Sequence, residues 1–371
     1  MASTFLLPAE DIDHMIPLST NPVLTEFQKE LDGAYWRPDE IKFEKDITQW
    51  KTITQEERQL CENAIVEFNI WDNEVSKVYS GTGETFVKDI TLPQLSMLYT
   101  QIASWEVIHA RSYALMGTTL LGAKRMEELM SEKTRPAYIT KKAKWFAENI
   151  KSRYDGPAVT TGGLQVSMTY NGGNPSLPSS WSDVSTQCVI PGKLSLDKLR
   201  DHARQVTVTC AVEGLFFQPK FTGIYWLKKR GLMEAFAHAN ELISRDEGLH
   251  FRLAAAYLKL LGHPLTVKET KTIFMEACEL ECEGIMEKHP SGLAGFSAES
   301  LCQYTRHTCD YLLTLVFEKP TRAYGVENPY SWLVSTAATR QTSFFERTVS
   351  EYDSRTIGPQ DKLQIIEGDK W

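Results

Sequence analysis

The sequence predicts an all-α protein, a bundle of long helices around one large core. Apolar residues recur at helical spacing over about 22–32, 55–79, 93–121, 139–152, 194–229, 232–261, 266–288 and 296–317. Turn-forming residues such as Gly122 and Gly231 fall at the ends of these segments. The chain has 371 residues, 42% of them hydrophobic, which is enough apolar material for such a core. We therefore expect one helical domain over 1–345.

Three features depart from this helical pattern. Pro219 lies inside the segment 194–229, where it removes a backbone hydrogen bond and should kink the helix. The stretch 155–192 is rich in Gly, Ser, Thr and Pro, and it holds either a small β-hairpin or an irregular excursion between two halves of the bundle. The end of the chain, 346–371, loses periodicity and is expected to be a flexible tail.

The composition argues against several classes of protein. The net charge is −8 and no run of basic residues is present, so nucleic acid is not an expected partner. The N-terminus lacks a basic region followed by an apolar core, and no run of about 18 apolar residues occurs, so we expect a cytoplasmic protein without membrane contact. Seven cysteines without a CxxC pair are read as free thiols, including Cys278 and Cys282 one helical turn apart.

The pattern Glu-x-x-His occurs twice, both times in an apolar helical segment. The pairs are Glu106–His109 in WEVIHARSY and Glu247–His250 in ISRDEGLHFRL. Residues three apart share one face of a helix, so each pair can present a carboxylate oxygen and a ring nitrogen to the same metal ion. Burying an unpaired Glu and His would cost several kcal/mol, which favours a metal site over a chance match.

Each pair is accompanied by an acidic residue on the preceding long helix. For the second pair this residue is Glu213, which shares a helix face with Phe217 and Phe221 and therefore needs a cationic partner. For the first pair the alternatives are Asp72 and Glu74 in FNIWDNEVSKVY. The apolar stripe of that helix has Asp72 at its border and Glu74 well away from it, which favours Asp72.

One acid from each of two helices, with Glu-x-x-His from each of two others, is the pattern of dinuclear carboxylate sites in ferritin-like bundles. The candidate ligands are Asp72, Glu106, His109, Glu213, Glu247 and His250. Oxygen and imidazole ligands without thiolate suit two iron ions, two manganese ions or one of each. The sequence therefore predicts a ferritin-like helical bundle with a dinuclear metal site.

Six stretches resemble the small (beta, radical-generating) subunit of class I ribonucleotide reductase. They are YWRPDEI, WEVIHARSY, CAVEGLFF, ISRDEGLH, EACELEC and SFFERTVSEY, in that order over about 30 to 352. The resemblance implies the same six metal ligands. It supports Asp72 over Glu74 because the stretch from Trp36 to Asp72 matches without a gap, while the extra residues of this chain fall around SGTGE.

The resemblance also implies the roles of residues that do not bind metal. Tyr113 matches the tyrosine that the family oxidises to a stable radical, and it lies about two helical turns past Glu106. The residues that match the apolar pocket around that radical are Phe217, Phe221 and Ile243. Those that match the electron relay are Trp36, Asp246 and Tyr352, and Asp246 could accept a hydrogen bond from His109.

The implied function is the small subunit of ribonucleoside-diphosphate reductase. Its radical would pass to a separate large (alpha) subunit, which reduces ribonucleotides to deoxyribonucleotides, and the chain would form a homodimer. The tail ends in LQIIEGDKW, whose apolar side chains could dock on the large subunit. Two rival interpretations are a dinuclear oxidase or hydroxylase on the same bundle, and a metal-storage or purely structural helical bundle.

Overall fold

Eleven α-helices make up most of the part of the chain that the structure describes. The computed structural model describes residues 21–90, 93–131, 136–154, 167–170, 184–187, 196–289, 292, 294–330 and 332–333, without the side chains of 167–170, 184–187, Gln218 and Pro219. The helices are α1 (Pro22–Gly33), α2 (Glu44–Trp50), α3 (Gln55–Tyr79), α4 (Pro93–Leu120), α5 (Ala123–Met130), α6 (Ala137–Ile150), α7 (Leu196–Leu215), α8 (Gln218–Lys229), α9 (Glu234–Leu260), α10 (Val267–Lys288) and α11 (Ala298–Phe317). All of them lie in the first of two compact units, Met1–Tyr330; the second unit is Ser331–Trp371. The predicted tail, 346–371, lies outside the described residues.

Two of the long helices, α3 and α10, begin at side chains that satisfy their first backbone amides. The Thr54 hydroxyl accepts a hydrogen bond from the Glu57 amide at the start of α3, and the Glu57 carboxylate accepts one from the Thr54 amide. Thr266 and Glu269 form the same reciprocal pair at the start of α10. Such pairs stabilise a helix start by supplying acceptors for amides that have no partner within the helix.

Four long helices place the two halves of the predicted site opposite each other. Helix α3 packs along α4, and α7 packs along α9, while α4 also contacts α9. Helix α7 has almost no exposed face over its second half. A helix that is buried on most sides has polar residues only where they find partners inside the protein, so its charged residues mark functional or structural clusters.

Two predictions about the helices were wrong in detail. The segment 194–229 is two helices, because α7 ends at Leu215 and α8 begins at Gln218. Pro219 lies in the first turn of α8, where an amide hydrogen would have no partner within the helix in any case. The sequence analysis expected a kink in one helix, and the structure has a break between two helices instead. The short helices α2 and α5 were not predicted, since two turns give too few residues for a helical period to stand out.

The segment 155–192 contains a β-hairpin, which was one of its two predicted alternatives. Strand β1 (Ser167–Tyr170) pairs antiparallel with β2 (Val184–Gln187), with Ser167 opposite Gln187 and Tyr170 opposite Val184. The rest of that segment lies outside the described residues.

None of the described helices combines the length and the apolar character that crossing a membrane requires.

Candidate metal centre

The six predicted ligands come together at the centre of the four long helices. Asp72 comes from α3, Glu106 and His109 from α4, Glu213 from α7, and Glu247 and His250 from α9. All six side chains are completely buried. One group consists of Asp72, Glu106, His109 and Glu247, and a second of Glu106, Glu213, Glu247 and His250. Within each group, one ligand atom from every residue lies within 4.8 Å of the others.

Glu106 and Glu247 belong to both groups, so each can bridge two metal positions. His109 Nδ1 lies 3.1 Å from Glu247 Oε1 and 3.5 Å from Glu106 Oε2. His250 Nδ1 lies 2.8 Å from Glu106 Oε1 and 3.4 Å from Glu247 Oε2. Both imidazoles therefore direct the same ring nitrogen toward the shared carboxylates, as two ligands of a dinuclear site would.

The buried carboxylates of this cluster need cations to compensate their charge. Both carboxylate oxygens of Asp72 lack a hydrogen-bond donor among the described residues, and those of Glu106 and Glu247 face the two imidazoles, although all are buried. Buried carboxylates without donors are strongly unfavourable unless a cation compensates them. Two divalent cations would neutralise the four carboxylates, and neutral imidazoles would complete the oxygen and nitrogen donor set. The cluster is therefore compatible with a dinuclear metal site.

The pKa shifts show how strongly the carboxylates repel one another. Burial raises the pKa of Asp72 and of Glu213 well above their usual range, and neighbouring carboxylates raise both further. Burial alone would lower the pKa of His250, but Glu106 and Glu247 raise it to about 9. Without cations, this cluster would thus hold extra protons, which metal ions would displace on binding.

The two candidates for the first ligand, Asp72 and Glu74, lie in different surroundings. Asp72 is buried in the cluster. Glu74 points away from it, with 38% of its side chain exposed, and its carboxylate lies 2.6 Å from Lys77 Nζ. The extra residues around SGTGE lie beyond the end of α3, which begins well before Asp72 and continues through it to Tyr79.

Tyr113 lies in a buried aromatic pocket beside the cluster. Its side chain is completely buried, and its hydroxyl donates a hydrogen bond of 3.0 Å to Asn240 Oδ1. Burial and the Asp72 charge raise the pKa of the Tyr113 phenol well above its usual range, so the phenol stays protonated. The predicted pocket residues Phe217, Phe221 and Ile243 are likewise completely buried.

Phe68 is the ring that joins this pocket together, and the sequence analysis missed it. Its centroid lies 5.2 Å from those of Tyr113 and Phe217, and 4.7 Å from that of Phe221. Asn240 was also missed. It lies seven residues before Glu247 on α9, about two turns, so the periodicity that aligns Tyr113 with Glu106 could have found it.

Trp36 and Asp246 form a continuous contact with His109. Trp36 Nε1 donates a hydrogen bond of 2.8 Å to Asp246 Oδ2, and His109 Nε2 lies 3.2 Å from the same oxygen. Arg245 donates to the other oxygen, Oδ1, at 3.0 and 2.9 Å. The carboxylate thus fixes the orientation of the His109 ring, as partners of metal-binding histidines do. Tyr352, the third predicted relay residue, lies outside the described residues.

Tyr79 is a further residue of the site that the sequence analysis did not identify. Its hydroxyl donates a hydrogen bond of 2.7 Å to Glu213 Oε1, and the ring is buried. Tyr79 lies seven residues after Asp72 on α3, so it lies on the same stripe about two turns further on. A hydrogen bond to a candidate ligand restricts the rotation of that carboxylate.

Comparison with known proteins gives one consistent family. The family model described as "Ribonucleotide reductase, small chain" matches residues 18–329. The ribonucleoside-diphosphate reductase small chain of Nicotiana tabacum is 27% identical over 339 residues, which cover 91% of this chain and 87% of that protein. The family match confirms the resemblance found in the sequence, and it does not favour the oxidase or storage interpretations.

Solved structures show the same fold. The Rnr4 homodimer of Saccharomyces cerevisiae superposes with a TM-score of 0.63 at 19% identity, covering 91% of this chain and 89% of that chain. The dimanganese(II)-NrdF of Streptococcus sanguinis superposes with a TM-score of 0.62 at 15% identity, covering 82% of this chain and 91% of that chain. At these identities the likeness concerns the fold alone, which confirms the ferritin-like bundle. Together with the family match over residues 18–329, it shows that the chain belongs to the family of ribonucleotide reductase small chains.

Proposed function

We propose that this small subunit of ribonucleoside-diphosphate reductase generates and stores a radical on Tyr113 and passes it to a large subunit. The observation that carries the proposal is the pair of ligand groups that share Glu106 and Glu247. Tyr113 lies one helical turn past His109 on α4, in a pocket from which water is excluded. A dinuclear centre beside a shielded phenol is an arrangement that can remove one electron from the phenol and protect the product.

Six residues would hold the metals: Asp72, Glu106, His109, Glu213, Glu247 and His250. When bound, iron or manganese would supply the one-electron oxidising capacity of the site. Oxidation of Tyr113 removes an electron together with the phenolic proton, because burial opposes a charged product. Asn240 holds the phenol oxygen in place, and the Phe68 ring shields the phenol from solvent.

We propose that the radical leaves the site through Trp36, Asp246 and Tyr352. The support for the first part is the chain of contacts from His109 through the Asp246 carboxylate to the Trp36 indole. Tyr352 belongs to the proposal through the sequence resemblance alone.

The first test of the proposal is metal loading. Protein prepared without metal and then loaded with Fe(II) or Mn(II) should bind about two ions per chain. Oxidation should then give a tyrosyl signal in electron paramagnetic resonance, and the metal that supports the signal identifies the native pair. Deoxyribonucleotide formation by fully metal-free protein with the large subunit would contradict the proposal.

Asp72 and Glu74 provide a matched pair of variants for the same test. Asp72→Ala removes a buried oxygen donor, so it should lose at least one metal ion per chain. Glu74→Ala removes a partly exposed carboxylate that pairs with Lys77, so it should load metal as the unaltered protein does. The reverse outcome would show that Asp72 is not a ligand.

We also propose that the chain forms a homodimer through the exposed side of α4. The S. cerevisiae relative is a homodimer. On α4, Met97 is 47% exposed and Val107 is 51% exposed, and Arg111 is the only charged residue on the exposed side of this helix. Exposed apolar residues on a weakly charged helix face are typical of an interface between subunits.

The dimer can be tested by placing a charge in this face. Val107→Glu should convert the dimer to a monomer in sedimentation velocity, because a carboxylate buried at the interface would have no partner. Met286→Glu changes an equally exposed residue of α10 and serves as the control, which should remain dimeric. Two variants with the same sedimentation coefficient would contradict an interface on α4.

The partner of the tail is proposed to be the large subunit. The support is the sequence LQIIEGDKW, in which the apolar side chains Leu363, Ile365, Ile366 and Trp371 stand among acidic residues. A synthetic peptide of these residues should compete with the whole protein for the large subunit, whereas a peptide with Ile365 and Ile366 changed to Ser should not. Tyr352→Phe should leave that binding and the Tyr113 radical intact, yet abolish turnover. Normal turnover by a protein truncated before Tyr352 would refute this role.

A further inference from the structure

A second cluster of buried charges lies outside the metal centre. It joins α3, α6, α8 and α10, and its members are Glu67, Glu281, Lys142, Lys220, Lys288 and Tyr138. Lys142 is only 1% exposed, and Glu67 and Glu281 are each 2% exposed. None of these residues contacts the six candidate metal ligands through a described hydrogen bond or ion pair. The cluster is therefore a separate feature of the fold.

The charges of this cluster do not balance. Three ammonium groups meet two carboxylates among the described residues. Lys220 Nζ lies 2.8 Å from Glu281 Oε1 and 3.0 Å from Glu67 Oε2, and Lys142 contacts Glu281 directly. Burial opposes the charged form of Lys220, but Glu281 and Glu67 outweigh it and raise its pKa. Burial lowers the pKa of Lys142 and of Lys288, and the carboxylates beside them oppose that shift. When all three lysines are protonated, the cluster has one positive charge in excess.

Lys288 has a hydrogen-bond donor to spare and, unlike Lys142, it lines a cavity. Its Nζ donates to Glu67 Oε1 at 3.0 Å and to the Tyr138 hydroxyl at 2.9 Å. An ammonium group has three N–H donors, and the described residues provide acceptors for two of those of Lys288. The third is available to a ligand.

A cavity lies next to this spare donor. Its volume is about 60 Å³. Its polar lining consists of Lys288, Lys220 and Tyr138, the carboxylates Glu67 and Glu281 that pair with these lysines, and the half-buried Asn63 and His289. The Asn63 amide nitrogen lies 3.0 Å from His289 Nε2. The apolar part of the lining is formed by Leu60, Ile285, Phe296 and Leu301. A single water molecule requires roughly 10–15 Å³, so the cavity has room for a small molecule.

We propose that this cavity binds a small monocarboxylate, with its carboxylate on Lys288 and its short apolar body against Leu60, Ile285, Phe296 and Leu301. A monovalent anion would balance the single excess charge of the cluster, and an inorganic anion would leave the apolar part of the lining without a partner. The site is distinct from the dinuclear centre, and the proposal does not depend on the radical chemistry.

Propionate, which has five non-hydrogen atoms, is the probe. Titration calorimetry on the metal-loaded full-length protein should detect propionate binding, while propionamide, the uncharged analogue, and chloride, which has the charge alone, should each bind at least about tenfold more weakly. Absence of propionate binding would overturn the proposal. Equal affinity for chloride would overturn the assignment to carboxylates.

Two variants and one control locate the site. Lys288→Gln keeps a donor but removes the charge, and it should weaken propionate binding about tenfold or more. Leu301→Phe leaves every charge in place and fills the cavity, so it should also block binding. Lys124→Gln alters an exposed lysine of α5 and should have no effect. Circular dichroism and metal content check that each variant is folded, and unchanged propionate affinity in both Lys288→Gln and Leu301→Phe would refute the site.

Discussion

Replacing Tyr113 with Phe should abolish deoxyribonucleotide formation while leaving about two metal ions in the protein. This change removes only the phenolic hydroxyl, and the ring keeps its packing against Phe68. Asn240 Oδ1 would lose the hydroxyl that donates to it, which costs about 1–3 kcal/mol of stability in a buried site. The variant should therefore fold and bind metal, show no tyrosyl signal in electron paramagnetic resonance, and give no turnover with the large subunit.

Tyr99→Phe is the matched control for this experiment. Tyr99 is also completely buried, and its hydroxyl has no hydrogen-bond partner among the described residues. Its ring stacks on Tyr79 with centroids 5.5 Å apart, so it lies on the Glu213 side of the site. Removing its hydroxyl should leave the Tyr113 radical and turnover unchanged. If Tyr113→Phe still supports ribonucleotide reduction, or if both variants lose the signal equally, Tyr113 is not the radical site.

Much of this site could be predicted because a helix converts spacing into direction. Glu106 and His109 lie three apart, so their sequence positions alone place both side chains on one face. The same reasoning distinguished Asp72 from Glu74, since one lies beside the apolar stripe of α3 and the other lies opposite it. Charged residues in apolar helices stand out, because burying them without a partner is unfavourable.

The residues that the sequence did not reveal are those whose chemistry is ordinary in a core. Tyr79, Asn240 and Phe68 are uncharged, so each could be a packing residue, and only the structure shows the hydrogen bonds and ring contacts that connect them to the site. The break after Leu215 was missed for a similar reason. Apolar residues continue through Phe216 and Phe217, so the sequence pattern gives no sign that the helix ends at Leu215 and a new one begins at Gln218.

The cluster of Glu67, Glu281 and three lysines shows a different limit of sequence reasoning. Its lysines come from three helices, α6, α8 and α10. In the sequence of any one of these helices, the lysine resembles a residue on a solvent-exposed face. Only the packing of α8 against α3 and of α6 against α10, with the ion pairs that all three lysines make with Glu67, shows that the charges point inward and meet. Charge imbalance inside a protein is a property of the assembled core, so no one segment of the sequence reports it.

The second large effect is expected at Asp246. In Asp246→Asn the charge that fixes Trp36, His109 and Arg245 is removed with almost no change of volume. In the unaltered protein, Asp246 Oδ2 accepts a hydrogen bond from Trp36 and lies 3.2 Å from His109 Nε2. The other oxygen, Oδ1, accepts a hydrogen bond from Arg245. An amide has one oxygen and one NH₂ group, so in either orientation it must turn a donor toward another donor.

This conflict should interrupt radical transfer rather than radical formation. We expect Asp246→Asn to bind metal and to show the Tyr113 signal, because the side chain is not among the six candidate ligands. Turnover with the large subunit should fall by about 10–100-fold or more, the usual cost of losing the partner of a metal-binding histidine. Electron paramagnetic resonance, metal analysis and a turnover assay on the same sample separate these outcomes.

Asp46→Asn distinguishes a role in transfer from a general effect of removing a buried charge. Asp46 is as deeply buried as Asp246, and its carboxylate accepts hydrogen bonds from the backbone amides of Ala235 and Phe236 at the start of α9. Its amide variant should therefore lower the thermal stability by weakening the start of α9, yet leave turnover close to normal. If both variants lose turnover equally, Asp246 matters for the stability of α9 and not for transfer. If only Asp246→Asn does, and its radical persists, the path from the metal centre leaves through the carboxylate that joins His109 to Trp36.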